Sequence, residues 1–171
     1  VGSIDKEIAG QAAANFEKED VQIETPLLVS IKGDLPQRVT AAGRQLKNKI
    51  VLVVALKGGL TLLSPFMNFF KDAQTKVGFV NVQRSADADQ ASICYVDLPT
   101  IDPSDDIIVL ESVLASGGTA SRTIEAIKRA GGCEDKITLV TLICAEAGVR
   151  KLEKDLPKVK IVTAHVDKNL D

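Results

Sequence analysis

Short continuous apolar runs alternate along this chain with stretches whose apolar residues recur every three or four positions. Ile50–Leu56 is one such run and predicts a strand buried on both faces. Leu63, Phe66, Met67 and Phe70 then fall at helical spacing. Residues 77–82 predict a strand, and residues 91–98 predict its return arm across a hairpin whose connection is the polar segment 85–90. Residues 106–111 predict a central strand. Ala120, Ile124 and Ile127 mark one face of the helix that follows, which Gly131 and Gly132 stop. Residues 137–144 predict another buried strand. Val149, Leu152 and Leu156 form a helical stripe ended by Pro157, and residues 159–165 predict a last strand.

Upstream the pattern is weaker. Residues 21–31 read as extended, Val39, Ala42 and Leu46 as a helix after Pro36, and the first 18 or so residues as a helix. Continuous apolar strands joined through helices predict an α/β fold. Its three layers would be a mainly parallel sheet, flanked by helices, with a small β-hairpin extension. Ligands of such sheets sit beyond the strand C-termini. The 171 residues predict a single domain, with residues 1–19 as an N-terminal helical extension.

Composition narrows the function classes. Lys plus Arg is 21 against 23 Asp plus Glu, a net charge of −2, which argues against a nucleic-acid or membrane surface. Aromatics are 4%, without Trp and with one Tyr, so a stacking platform for single strands is not expected. No apolar run reaches the ~18 residues of a membrane span. Cys94, Cys133 and Cys144 form no CxxC pair and read as reduced thiols, with Cys144 in the core. The first residue is Val1 rather than Met, which suggests processing. The expected setting is intracellular, either cytoplasm or an organelle (plastid or mitochondrion) after transit-peptide removal. His165 is the sole histidine, which excludes a His-based metal cluster, and it is expected to pack at a strand end. The chain has no Walker loop, no GxGxxG after a strand and no GxSxG elbow. Lys151, Lys154, Lys158 and Lys160 read as a solvated basic edge.

Three predicted strand ends carry candidate chemistry. Lys57, Gly58 and Gly59 follow the first strand: glycines let backbone approach a pyrophosphate, and the ammonium neutralises charge. Alone, they read more readily as a plain strand-to-helix turn with a surface lysine. Arg84 follows the second strand and offers phosphate a fork of donors; alone, it reads as a solvated hairpin arginine. Glu111 ends the central strand and leads through Ser112, Val113, Leu114, Ala115, Ser116, Gly117 and Gly118 to Thr119. A carboxylate beside a glycine turn at a helix N-terminus can hold a sugar phosphate: backbone N–H groups face the phosphate and the carboxylate accepts from sugar hydroxyls. The plainer alternative is a glycine turn with Ser116 or Thr119 capping the helix.

The segment from Glu111 to Thr119 resembles the phosphoribosyl-pyrophosphate motif of type I phosphoribosyltransferases, and most closely the uracil phosphoribosyltransferase pattern Asp-Pro-Met-Leu-Ala-Thr-Gly-Gly-Ser. That family's Leu-Arg-Ala-Gly-Leu is matched by the five residues from Leu56 to Leu60, its Tyr-Arg-Asp by Gln83, Arg84 and Ser85, and its Leu-Pro by Leu98 and Pro99. Its Thr-Ala-Ala-Leu-Asp is similar to the stretch from Thr163 to Asp167. The resemblance implies that Ala115, Ser116, Gly117, Gly118 and Thr119 bind the 5′-phosphate. It implies that Glu111 holds the ribose hydroxyls and that Lys57, Gly58 and Gly59 face the pyrophosphate with Arg84 assisting. Glu111, Arg84 and Lys57 would then be the catalytic set. It also implies Mg²⁺ carried by the oxygens of phosphoribosyl pyrophosphate, with no side-chain metal site.

The sequence also departs from that pattern. Lys57 replaces arginine, Glu111 aspartate, Ser112 proline, Asp97 lysine, and Ser85 an acid. The family's Gly-Tyr-Ile-Val-Pro-Gly-Leu-Gly-Asp-Ala-Gly-Asp stretch, which contacts uracil, has no counterpart before Asp171. These departures favour a catalytically impaired homologue, a pseudoenzyme serving as a structural or interaction subunit of a larger complex and retaining a phosphate or nucleotide site. Its partners would be other proteins or further copies of itself, with no nucleic acid. The alternative is an active uracil phosphoribosyltransferase of pyrimidine salvage, a pentosyltransferase making UMP and pyrophosphate.

Overall fold

Backbone hydrogen-bond ladders organise nearly every β-rich run of this chain. The computed structural model describes residues 2–29, 37–71, 73–84 and 91–168; the hairpin connection 85–90 and residues 30–36, with Ile31 and Pro36, lie outside them. The chain divides into two compact units, Phe16–Asn48 and the remainder.

In the smaller unit, β1 (Lys18–Val29) pairs antiparallel with β2 (Gln37–Leu46), Lys18 opposite Leu46, with an irregularity between Glu24 and Leu28. The stretch of Val39, Ala42 and Leu46, expected to be helical, is therefore a strand. Val39 and Thr40 are β-branched and Gly43 lies mid-segment, all poor helix residues. A long antiparallel partner satisfies their backbone groups instead. Gln45 donates to Glu19 (2.8 Å), and Lys47 pairs with Glu17 (3.1 Å).

In the larger unit, the N-terminal helix α1 (Gly2–Ala12) is shorter than its sequence suggests and buries Ile8, Ala9 and Ala12. The strands are β3 (Ile50–Leu56), β4 (Thr75–Arg84), β5 (Ala91–Asp97), β6 (Asp106–Leu110), β7 (Val113–Leu114), β8 (Ile137–Ala145) and β9 (Lys160–Asp167). They form one sheet in the order β5-β4-β3-β6-β8-β7, with β9 also on β8. Each of its pairings is parallel except β4–β5, the expected hairpin. The central strand β6 is buried at every position: Asp106 at its start is buried, and the apolar residues 107–110 are covered on both faces.

Helix α2 (Leu60–Phe69) precedes β4, α3 (Gly118–Arg129) precedes β8, and α4 (Glu146–Asp155) precedes β9. Val51, Val53, Ile107, Val109, Ile137 and Leu139 of the sheet pack in one cluster with Ala120, Ile124 and Ile127 of α3 and Leu152 of α4. The alternate residues Leu52, Val54, Ile108 and Leu110 are equally buried, and α1 and α2 cover that side. These are the three layers. On α2 the buried residues are Leu62 and Phe66, whereas Met67 of the expected stripe is 39% exposed. α3 ends as its two glycines require. Gly131 adopts φ +104°, its N–H bonds the Lys128 carbonyl, and the Gly132 N–H bonds the Ile127 carbonyl. The cysteines are free thiols, Cys144 buried and Cys94 exposed. His165 lies on β9 but is exposed rather than packed.

Glu134, in a 3-10 turn before β8, accepts from the Lys128 ammonium and from the Lys158 backbone N–H (3.2 Å). It thereby ties the end of α3 to the start of β9. The hydrogen bond from Lys128 holds its carboxyl below the ordinary 4.5. A lowered carboxyl contributes stability that is present above the unfolded value and lost as pH falls through the folded one. Thermal melts should therefore show the wild-type midpoint falling faster than that of Glu134→Gln as pH drops below 4.5; parallel curves would refute this role.

Candidate functional site

Parallel pairing puts the C-terminal ends of three strands side by side. Leu56 of β3 is opposite Asn81 of β4, and Val54 is opposite Leu110 of β6. Lys57, Glu111 and Arg84 therefore leave the sheet at one rim, as successive strand ends of a parallel sheet must.

The loop after β3 is held by backbone contacts and by Thr61 Oγ1, which donates to the Gly58 carbonyl (3.1 Å). The Leu56–Lys57 peptide is cis. The Gly59 N–H bonds the Ala55 carbonyl (2.9 Å), and Gly59 is the N-cap of α2. A Cβ on Gly59 would stand 2.0 Å from the Leu110 carbonyl oxygen, and one on Gly58 2.6 Å from Ser112 Oγ. The β3 loop thus lies directly on the start of the Glu111 loop, an approach that only glycine permits. Lys57 itself is exposed.

The Glu111 loop is fastened to β8. The Glu111 N–H bonds the Val140 carbonyl (3.0 Å). The Ser112 carbonyl accepts from the Leu142 and Ile143 N–H groups and from Thr141 Oγ1 (3.1 Å). Val113 and Leu114, expected as part of a turn, instead form β7 beside Ile143 and Cys144. The reason is that the chain leaving β6 stays within reach of β8, whose ladder continues beyond β6. Glu111 is 9% exposed, its carboxylate set inward from the rim.

Gly117 adopts φ +78° and occupies the N-cap position of α3, the place at which Ser116 or Thr119 was the plainer alternative. The first intrahelical bond is Ser121 N–H to Gly117 carbonyl, which leaves the first-turn N–H groups and the positive end of the dipole at the rim. Gly148 of α4 backs the loop: a Cβ there would meet the Ala115 carbonyl oxygen at 2.2 Å.

Arg84 ends β4 opposite Ala91 of β5, and a Cβ on Gly118 would touch the Ala91 side chain at 3.6 Å. Lys57 to Gly59, Glu111 to Thr119 and the Arg84 backbone are thus linked neighbours. Gly148, Thr141 and Arg122, whose Nε donates to the Ala91 carbonyl (3.0 Å), were not among the sequence candidates. Gly148 alone carries a sequence signal, since glycine inside a helix is unfavourable without a packing reason. Thr141 and Arg122 act through partners 29 and 31 residues away.

Among the described residues no group of three or more His, Cys, Asp or Glu could hold a metal ion. Among them, too, no helix is long and apolar enough to cross a membrane. The basic edge is solvated at Lys151, Lys154 and Lys158, while Lys160 reaches the Gln11 carbonyl (3.0 Å).

A family model described as uracil phosphoribosyltransferase matches residues 4–171. A curated uracil phosphoribosyltransferase of Salinibacter ruber is 29% identical over 96% of this chain and 71% of its own length. That of Corynebacterium urealyticum is 30% identical over 94% of this chain and 68% of its own length. Among solved structures, the AQ2163 protein of Aquifex aeolicus superposes with a TM-score of 0.78 at 21% identity, covering 97% of this chain and 73% of that one. A hypoxanthine-guanine phosphoribosyltransferase of Bacillus anthracis gives 0.60 at 14% identity, covering 98% and 77%. The two structural likenesses establish the fold alone, and the sequence match supplies the rest: the chain belongs to the uracil phosphoribosyltransferase family.

Proposed function

We propose that this chain is a working uracil phosphoribosyltransferase, transferring ribose 5-phosphate from phosphoribosyl pyrophosphate to uracil. The observation that carries the proposal is the family match over residues 4–171, with the contact of Gly59 and Leu110 joining the two loops that must face the same donor. Both units are taken as parts of one phosphoribosyltransferase-like domain.

The first turn of α3, with Ala115, Ser116, Gly117, Gly118 and Thr119, is assigned the 5′-phosphate, where the backbone N–H groups of a helix start suit an anion. Glu111 is assigned the ribose hydroxyls. Lys57, Gly58 and Gly59 take the pyrophosphate, with Arg84 at the neighbouring strand end. In the reaction the bond from ribose C1 to the pyrophosphate oxygen breaks. A bond from C1 to a uracil nitrogen forms, and the proton of that nitrogen is released. The assigned residues bind and orient the donor and stabilise the departing charge, a large part of what this chemistry needs.

Mg²⁺ fits this rim as a passenger on the donor's oxygens. Glu111 is the one acidic side chain among the assigned residues, and Mg²⁺ typically combines one or two carboxylates with phosphates and waters. Bound so, it would neutralise the leaving pyrophosphate.

A non-catalytic homologue is the second reading, favoured by Lys57 and Glu111 in place of the family's arginine and aspartate. Calorimetry with phosphoribosyl pyrophosphate and Mg²⁺, followed by a UMP-formation assay, separates the two. The enzyme binds the donor at micromolar concentration and turns over, whereas absence of both leaves the homologue. Glu111→Gln should reduce donor affinity or turnover by about tenfold to a hundredfold, the worth of a hydrogen bond to a charged group. Gly148→Ala should weaken ribose 5-phosphate binding by about tenfold or more, since relieving its clash with Ala115 costs roughly 1–3 kcal/mol. Lys57→Arg should tighten pyrophosphate binding several-fold, because the guanidinium adds bidentate geometry; unchanged inhibition by pyrophosphate would remove Lys57 from that role.

A further inference from the structure

The first turns of α3 grip the root of the β4–β5 hairpin. Arg122 Nε donates to the Ala91 carbonyl (3.0 Å), and its Nη1 bonds Glu125 Oε2 one turn further along α3 (2.9 Å). Ala91 is opposite Arg84 in the β4–β5 ladder, and its side chain lies against Gly118. The hydrogen bond therefore joins the helix that starts at the phosphate loop to the rung that carries Arg84. Beyond that rung the ladder described for β4 and β5 ends, so Arg122 holds its last rung. Glu125 orients the guanidinium, and a planar fork held at one end donates in a fixed direction at the other.

We propose that Arg122 is a positioning residue for the transfer reaction. By fixing Ala91 against α3, it sets the distance between the Arg84 strand end and the 5′-phosphate loop, so that one donor molecule can span both. The inference rests on the transferase reading. It predicts that Arg122 acts on the pyrophosphate end of the donor and leaves the 5′-phosphate end alone.

The test compares Arg122→Gln, Arg122→Lys and Glu125→Gln. Arg122 is 37% exposed on its side chain, so the variants should fold, with circular dichroism melts as the check. Hydrogen exchange of the β5 amides should quicken several-fold in R122Q while the α3 amides keep their wild-type rates. The KM for phosphoribosyl pyrophosphate should rise by about fivefold to tenfold, the scale of one lost hydrogen bond. The dissociation constant of ribose 5-phosphate should stay within about twofold, a small fraction of that change. R122K retains one donor and should recover part of the loss. E125Q keeps an amide oxygen to accept from Arg122 Nη1 and leaves the Ala91 bond in place, so it should stay near wild type. Unchanged β5 exchange in R122Q overturns the inference, as does equal weakening of ribose 5-phosphate and the full donor. A wild-type protein that binds no phosphoribosyl pyrophosphate overturns the transferase reading and this inference with it. Wild type and R122Q binding the donor equally overturns the inference alone.

Discussion

Two contacts between backbone and backbone hold the rim of this sheet together. Gly59 lies against the Leu110 carbonyl and Gly148 against the Ala115 carbonyl, each closer than any side chain allows. The first joins the loops after β3 and β6, and the second seats the phosphate loop on α4. Both depend on the parallel register of β3, β6 and β8, which sets how far each loop starts from its neighbour. The site is thus a consequence of sheet register made rigid by missing side chains.

The parts of the fold written locally were legible. Ile50–Leu56 reads as a strand because every residue in it is apolar, and β6 after Asp106 and β8 with its two β-branched threonines read as strands on the same pattern. The stop of α3 is written in Gly131 and Gly132. What failed depended on pairing at a distance. Val39, Ala42 and Leu46 have helical spacing, but β1 captures the segment into a ladder. Val113 and Leu114 sit within a small-residue stretch and become β7 only because Ile143 and Cys144 run alongside. At the rim, Gly59 and Gly117 were legible because a close backbone approach and a left-handed turn need glycine. Thr141 and Arg122 were not, since a hydrogen bond to a distant carbonyl leaves no mark on neighbouring residues.

The departures from the family pattern act on different terms. Glu111 carries its carboxylate one methylene further than aspartate would, on a backbone pinned by Val140, so the added length must be taken up within the pocket. Lys57 keeps the charge of arginine and loses the fork, which lowers directional specificity more than electrostatic attraction. Neither change removes the sign of charge at its position. On the proposed reading, a donor with a negatively charged pyrophosphate and a hydroxylated ribose would still meet a cation and a carboxylate there.

This arrangement also limits what the phosphate loop can reveal about activity. Gly59, Gly117 and Gly148 are required by packing and by a left-handed backbone, so a homologue that had lost its chemistry would need them as much as an enzyme. The positions that discriminate are those whose side chains the fold does not need. Lys57 is exposed, and the guanidinium of Arg122 is partly so. Truncating either side chain leaves the buried core intact, so a loss of donor binding in a Lys57 or Arg122 variant that still folds would report on the chemistry rather than on the packing.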